Sequence, residues 1–136
     1  MSPQYGEAWY GAGMTRYRLY AVRIFVSDWP RALEFYSKTL EMPIAFADES
    51  MGWAELGTDG THLALERAAP DDPESAEHVG RFLGVSLQVA SVAETYAELC
   101  ARGVEFVAPP EKQPWGGVLA HFRDPEGNVL TLLGNA

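Results

Sequence analysis

Cysteine is almost absent: Cys100 stands alone in 136 residues. No disulfide can close within the chain, and such usage fits a reducing compartment, so a cytoplasmic location is expected. Basic side chains are scarce too, 10 against 19 acidic ones, for a formal charge of −9. Nucleic-acid binders need basic patches to displace counterions, so that class of partner is set aside. The acidic balance serves solubility and, in a sharper reading, favours cationic ligands. No apolar run approaches the roughly 20 residues that span a bilayer, so no membrane partner is expected. Met1 to Gly13 lacks both the basic residues and the apolar core of a secretory signal. What is present is 47% hydrophobic and 12% aromatic content. That is the make-up of one globular domain, able at this length to bury about two-thirds of its unfolded surface.

Residues 1–16 carry Tyr5, Gly6, Trp9, Tyr10, Gly11 and Gly13 without periodicity. They are expected to form a flexible arm, with Trp9 and Tyr10 either mobile or docked on a partner subunit. Met14 is an alternative start. The domain is expected over residues 17–134. Tyr17 to Val26 alternates, with Val22, Ile24 and Val26 on one face and Ala21, Arg23 and Phe25 on the other, which predicts a strand. Ser27 or Asp28 then caps a helix with Pro30 in its first turn. Ala32, Leu33, Phe35, Tyr36 and Leu40 recur at helical spacing, and Pro43 stops the run. Short strands follow at about 44–47, 51–56 and 62–66, the last two joined by the turn Thr58-Asp59-Gly60. Residues 68–80 are rich in Pro and acidic side chains with no apolar face, and read as a linker.

Beyond the linker the pattern restarts. Phe82 to Val89 reads as a strand, and Val92 to Arg102 as a helix with Val92, Tyr96, Leu99 and Cys100 inward and Gly103 as its stop. Strands at about 105–107, 117–123 and 128–133 complete the chain. Sliding the sequence by 63 lays Val22 on Val85, Ile24 on Leu87 and Val26 on Val89, and sliding by 67 lays Gly60 on Gly127 and Leu63 on Leu130. The chain is therefore a tandem of two strand–helix–three-strand units, about 17–67 and 81–134, each lacking a second wall for its sheet. The last two strands flank Asp124-Pro125-Glu126-Gly127. Pro125 presets φ, Asp124 can accept from amides ahead of it, and Gly127 can take φ > 0.

This order, with FVSDWPRALEFYSKTLEM near the start and FRDPEGNVLTLL at the end, resembles the vicinal oxygen chelate family of glyoxalases, bleomycin-resistance proteins and extradiol dioxygenases. The resemblance covers residues 17 to 134. It implies an α+β fold in which two tandem βαβββ units form an open, barrel-like mixed sheet with helices outside. It also implies a homodimer whose units pair within one chain or across subunits. Enzymes of that family hold a divalent metal on inward residues of the first and last strand of each unit. Carried over, those positions are Ala21, Ala64, Gly84 and Thr131. Methyl groups and a hydrogen offer no lone pair, and a threonine hydroxyl is a poor donor to a divalent ion. No metal or other cofactor is expected.

Strand alternation sends one side-chain set to the helices and the other into the cavity. If the four positions above face inward, so do Arg23, Phe25, His62, Glu66, Ser86, Gln88, Val129 and Leu133. With Val118, Ala120 and Phe122 packed on the helix, Leu119, His121 and Arg123 join them, matched by Trp53 and Glu55 in the first unit. The ligand-binding candidates are Arg23, Phe25, Trp53, Glu55, His62, Glu66, Ser86, Gln88, Trp115, His121 and Thr131. Each has a plainer role. Arg23 with Glu55 or Glu66 reads first as an internal ion pair; His62 and His121 read first as hydrogen-bonded wall residues, and with Glu66 as a displaced metal site second. Trp29 reads as core or interface, Trp115 as a lid or surface packing, and Cys100 as a buried, unreactive thiol.

Three functions remain. One is a metal-independent binding protein that sequesters an aromatic or cationic compound by stacking on Trp53, Phe25 and Trp115, with Glu55 or Glu66 for charge. Another is an enzyme of lyase, isomerase or dioxygenase type with an atypical metal site or none. It would use Arg23, Gln88 and His121 to stabilise negative charge and Glu55 or Glu66 as base. The last is a dimeric accessory module with a vestigial cavity.

Overall fold

The computed structural model describes residues 16–135. The expected arm, Arg16 apart, lies outside the described residues. The first unit runs β1 (Ala21–Val26), α1 (Trp29–Glu34), β2 (Ile44–Asp48), β3 (Trp53–Leu56) and β4 (His62–Arg67). A single helical turn, α2 (Pro73–Ala76), sits in the linker, where Asp72 accepts from the Glu74 amide and Pro73 needs no amide partner. The second unit runs β5 (Phe82–Ser91), α3 (Val92–Ala101), β6 (Glu105–Phe106), β7 (Glu111–Lys112), β8 (Val118–Arg123) and β9 (Val129–Asn135). The two-residue strand β7 had no sequence signal and exists because Lys112 and Glu111 pair with Val118 and Leu119. No helix of the described residues is long and apolar enough to cross a membrane.

Both units build the same sheet. The first has the order β1-β4-β3-β2, the second β5-β9-β8-β6 with β7 also on β8. The first strand of each unit runs parallel to the last and every other pair is antiparallel. The result is an α+β fold of two open mixed sheets, not a closed barrel. Among the described residues β1 and β5 each end a sheet, and one isolated bridge joins Phe25 to Val79.

Asp28, not Ser27, caps α1, its Oδ1 accepting from the Arg31 amide at 3.2 Å. The expected helix to Leu40 is present but changes pitch: Phe35–Thr39 is a π-helical turn, with Leu40 N–H bonded to Phe35 O. It ends at Glu41, which adopts φ 63°, before Pro43 is reached. In α3, Val92 and Leu99 are buried, but Cys100 is exposed, which corrects the inward placement expected of it. At about 100° per residue, position 100 lies about 80° around from Val92, off the apolar stripe. Trp29 belongs to the core, its indole N–H reaching Leu65 O at 3.4 Å.

One continuous core joins Ile24, Val26, Tyr36, Leu56 and Leu65 of the first unit to Val92, Leu99, Phe122, Leu130 and Leu132 of the second. A polar clasp locks the units together at the closing turn. Asp124 Oδ1 accepts from the amides of Glu126 and Asn128 at 2.8 and 2.9 Å, and Gly127 takes φ 86°. Its Oδ2 accepts from the buried Tyr36 hydroxyl at 2.7 Å, reaching into the first unit. Asn128, fully buried, accepts from the amides of Gly80 and Arg81 and donates to Phe25 O and Asp124 Oδ2. Glu126 accepts from the amides of Ser27 and Asp28, just ahead of α1. Buried polar groups are kept only when satisfied, and here the turn satisfies three segments at once.

Candidate functional site

Register places the expected inward set of the first unit on one face. Arg23 lies opposite Ala64, Phe25 opposite Glu66, and Ala21 opposite His62. On the other side of β4, Trp53 lies opposite Glu66 and Glu55 opposite Ala64. Directly opposed residues share a face, so these side chains stand together, away from the core that holds Ile24, Ala54, Leu56 and Leu65. The second unit repeats this: Ser86 lies opposite Thr131, His121 opposite Thr131, and Gln88 opposite Leu133.

Glu55 organises the first face. Its Oε2 accepts from the Tyr20 hydroxyl at 2.8 Å and from the Trp53 indole N–H at 2.9 Å, while Oε1 sits 3.3 Å from His62 Nδ1. The Trp53 bond is the main reason its carboxyl is held below the usual glutamate range; Tyr20 and His62 add to it and burial opposes it. With only 13% of its side chain exposed, Glu55 is an ionised post that fixes two aromatic rings and an imidazole. Both oxygens are already engaged, so Glu55 is no free anchor for a cation. Glu66 is engaged as well, 2.9 Å from Arg23, with 32% and 56% of the two side chains exposed. The ion pair is therefore at the surface, not internal, and its partner is Glu66. Phe25 is covered from two directions, by the Arg23 guanidinium 5.4 Å away and by the His78 ring 5.1 Å away.

Two members of this face were missed. Tyr20 precedes β1, and continued alternation would have sent it to the helix side; because the strand starts only at Ala21, its hydroxyl reaches Glu55 instead. Phe46 is brought in by an irregularity in β2: Ile44 opposes Leu56, but Phe46 opposes Glu55. Without that bulge Phe46 would oppose Ala54, on the core side. No sequence signal marks it.

On the second face, His121 Nδ1 lies 2.7 Å from the buried Thr131 hydroxyl, and Phe82 stands edge-on to the imidazole at 5.9 Å. Trp115 is not part of either face: it is 63% exposed, and its ring lies against Gly117. Of the four positions carried over for a metal, Ala64 is fully buried, Thr131 is bonded to His121, and Gly84 sits at φ 71° where the β5 register shifts. Of the residues considered for a displaced site, His62 is bonded to Glu55, Glu66 to Arg23 and His121 to Thr131, with His121 on the other sheet. Among the described residues no three His, Cys, Asp or Glu side chains are grouped to hold an ion.

A cavity of about 1200 Å³ runs along β5, bordered mainly by the apolar side of the sheets. Val22, Leu63, Val85, Leu87, Leu99 and Phe122 line it, and of the eleven candidate residues only Ser86 and Gln88 reach it, along β5.

Comparison with known proteins agrees with this architecture. Residues 18–132 match the family described as Glyoxalase/Bleomycin resistance protein/Dioxygenase superfamily. The uncharacterized protein YraH of Bacillus subtilis (strain 168) is 27% identical over 85% of this chain and 96% of its own. A solved member of the same superfamily from Sphaerobacter thermophilus DSM 20745 is 31% identical, with a TM-score of 0.77 over 88% of this chain and 98% of that one. TnmS3, an antibiotic binding protein from Streptomyces sp. CB03234, is 28% identical, with a TM-score of 0.72 over 90% and 99%. Tandem units, sheet order and sequence match converge: the chain belongs to the Glyoxalase/Bleomycin resistance protein/Dioxygenase superfamily.

Proposed function

We propose that this protein binds a planar aromatic small molecule without the help of a metal ion. The carrying observation is the Glu55 post, which holds Trp53, Tyr20 and His62 in fixed orientation beside Phe46 on one open sheet face. Aromatic walls held rigid before the ligand arrives lose little side-chain entropy on binding. Each ring-on-ring contact adds about 0.5–1.5 kcal/mol beyond burial, so two or three of them bring a drug-sized compound to micromolar affinity, roughly −8 kcal/mol. Metal independence rests on the donors: two methyl groups, a glycine and a threonine hydroxyl already bonded to His121. The structural likeness to TnmS3, an antibiotic binding protein, points the same way. Because both carboxylates on the face are engaged, the reading favours uncharged aromatic compounds over cations. The face is a single wall, and a homodimer that sets it against the second sheet of another copy would supply the other.

The test is a thermal-shift screen of planar aromatic compounds, run with and without EDTA. Stabilisation that persists in chelator and is lost in Trp53→Ala supports the reading. Failure of every compound to bind, or binding that the chelator abolishes, overturns it.

A further inference from the structure

Among the described residues, three side chains of the first face converge on the Glu55 carboxylate. The Tyr20 hydroxyl and the Trp53 indole N–H are both spent on Oε2, at 2.8 and 2.9 Å. His62 Nδ1 lies 3.3 Å from Oε1. An ionised carboxylate can only accept, and Glu55 is held below the usual glutamate range, so this contact calls for a proton on Nδ1. A neutral imidazole carries one ring proton, and fixing it on Nδ1 leaves the lone pair on Nε2. Glu55 thus sets the tautomer of His62 as well as its orientation. Ala21 of β1, directly opposite His62, presents a methyl group with no proton to give. Arg23, further along the same face, is paired with Glu66 at 2.9 Å.

We infer that His62 Nε2 is a hydrogen-bond acceptor that selects, among planar aromatic compounds, those carrying an O–H or N–H at the ring edge. The inference rests on the aromatic site proposed above and adds its polar specificity. Trp53 and Phe46 offer ring surface, which does not distinguish one edge substituent from another. A phenol or a ring N–H brings the proton that Nε2 lacks. An ether of the same shape sets lone pair against lone pair and displaces water from an acceptor it cannot satisfy. Glu55 acts here as a positioning residue, through His62. In Glu55→Gln the amide oxygen would stay with Tyr20 and Trp53. The amide N–H would then face His62 Nδ1 and drive the ring proton to Nε2.

The first test needs no ligand. Long-range proton–nitrogen NMR correlations of the full chain, at mildly alkaline pH where imidazole is neutral, report which ring nitrogen of His62 is protonated. A protonated Nδ1 with a bare Nε2 is expected, changing to a protonated Nε2 in Glu55→Gln. A protonated Nε2 in the wild type overturns the inference and leaves the aromatic site standing. An unchanged tautomer in Glu55→Gln also counts against it. The second test titrates 2-naphthol and its methyl ether into the wild type and His62→Phe. The wild type should bind the naphthol about three- to tenfold more tightly than the ether. The His62 Nε2 resonance should move with the naphthol and not with the ether, and His62→Phe should bring the two affinities together. Equal affinities in the wild type, or a naphthol preference that survives His62→Phe, overturn the inference. Binding of neither compound counts against the aromatic site itself, and the inference falls with it.

Discussion

Asn128→Ala is the sharpest test of how the two units are held together. The Asn128 side chain makes four hydrogen bonds: two accepted from the Gly80 and Arg81 amides, and two donated, to Phe25 O and to Asp124 Oδ2. Neutral bonds contribute about 1 kcal/mol each net, and a bond to a carboxylate about 1.5–3 kcal/mol. Gly80 and Arg81 lie in exposed backbone where water can replace the lost acceptor. Phe25 O and Asp124 face the protein and cannot be compensated so easily, so the expected loss is about 3–5 kcal/mol. For roughly 120 ordered residues, an unfolding entropy of about 0.25 kcal/mol/K turns 3 kcal/mol into a drop of roughly 12 °C in Tm. Urea unfolding followed by circular dichroism reads the change as a lower midpoint at unchanged slope. Gln113→Ala, which removes an exposed bond to Glu111 O, is the control and should stay within about 0.5 kcal/mol. A loss below about 1 kcal/mol for Asn128→Ala would refute the claim that the turn is a clasp and reduce it to a hairpin.

Tyr36→Phe should cost about 1–3 kcal/mol, since it strips the buried Asp124 carboxylate of a donor, and chemical unfolding measures it. Burial, with the Asp124 charge and hydrogen bond, pushes the Tyr36 phenol well above its ordinary value. Its stabilisation is therefore complete below the unfolded tyrosine pKa of about 10 and declines as pH rises beyond it. The wild-type stability curve should bend down above that pH, and the phenylalanine variant should lack the tyrosine contribution. Glu55 behaves in the opposite sense: its lowered carboxyl stabilises the fold above the unfolded glutamate value of about 4.3 and ceases to as pH falls through its folded value. Glu55→Gln should flatten the acid limb of Tm against pH and, by loosening Trp53, weaken binding of any compound found in the thermal-shift screen. Arg23→Ala breaks an ion pair whose arginine side chain is 56% exposed, and should shift the urea midpoint by no more than about 0.5 kcal/mol equivalent.

Glu55 shows how far a sequence reading carries at the site. Its face was legible because β3 alternates and Ala54 and Leu56 must be buried. Its role was not, because a carboxylate that accepts from Tyr20, Trp53 and His62 differs from a free one only through contacts between separate segments. Phe46 was hidden for a related reason: one irregular pairing in β2 reverses which side its ring takes. Cys100 was misplaced because a helical stripe has soft borders, and only the packing of α3 shows where its stripe ends.

The amino-acid sequence alone determined the two-unit plan, the strand faces and the closing turn. All follow from local periodicity and from the φ preferences of proline and glycine, which act within a few residues. The tertiary structure decided which carboxylates are engaged, that Asp124, Glu126 and Asn128 fasten one unit to the other, and that a cavity of about 1200 Å³ runs along β5. Those features arise from contacts tens of residues apart in the chain, such as the 88 positions between Tyr36 and Asp124. Only the folded chain sets such distances.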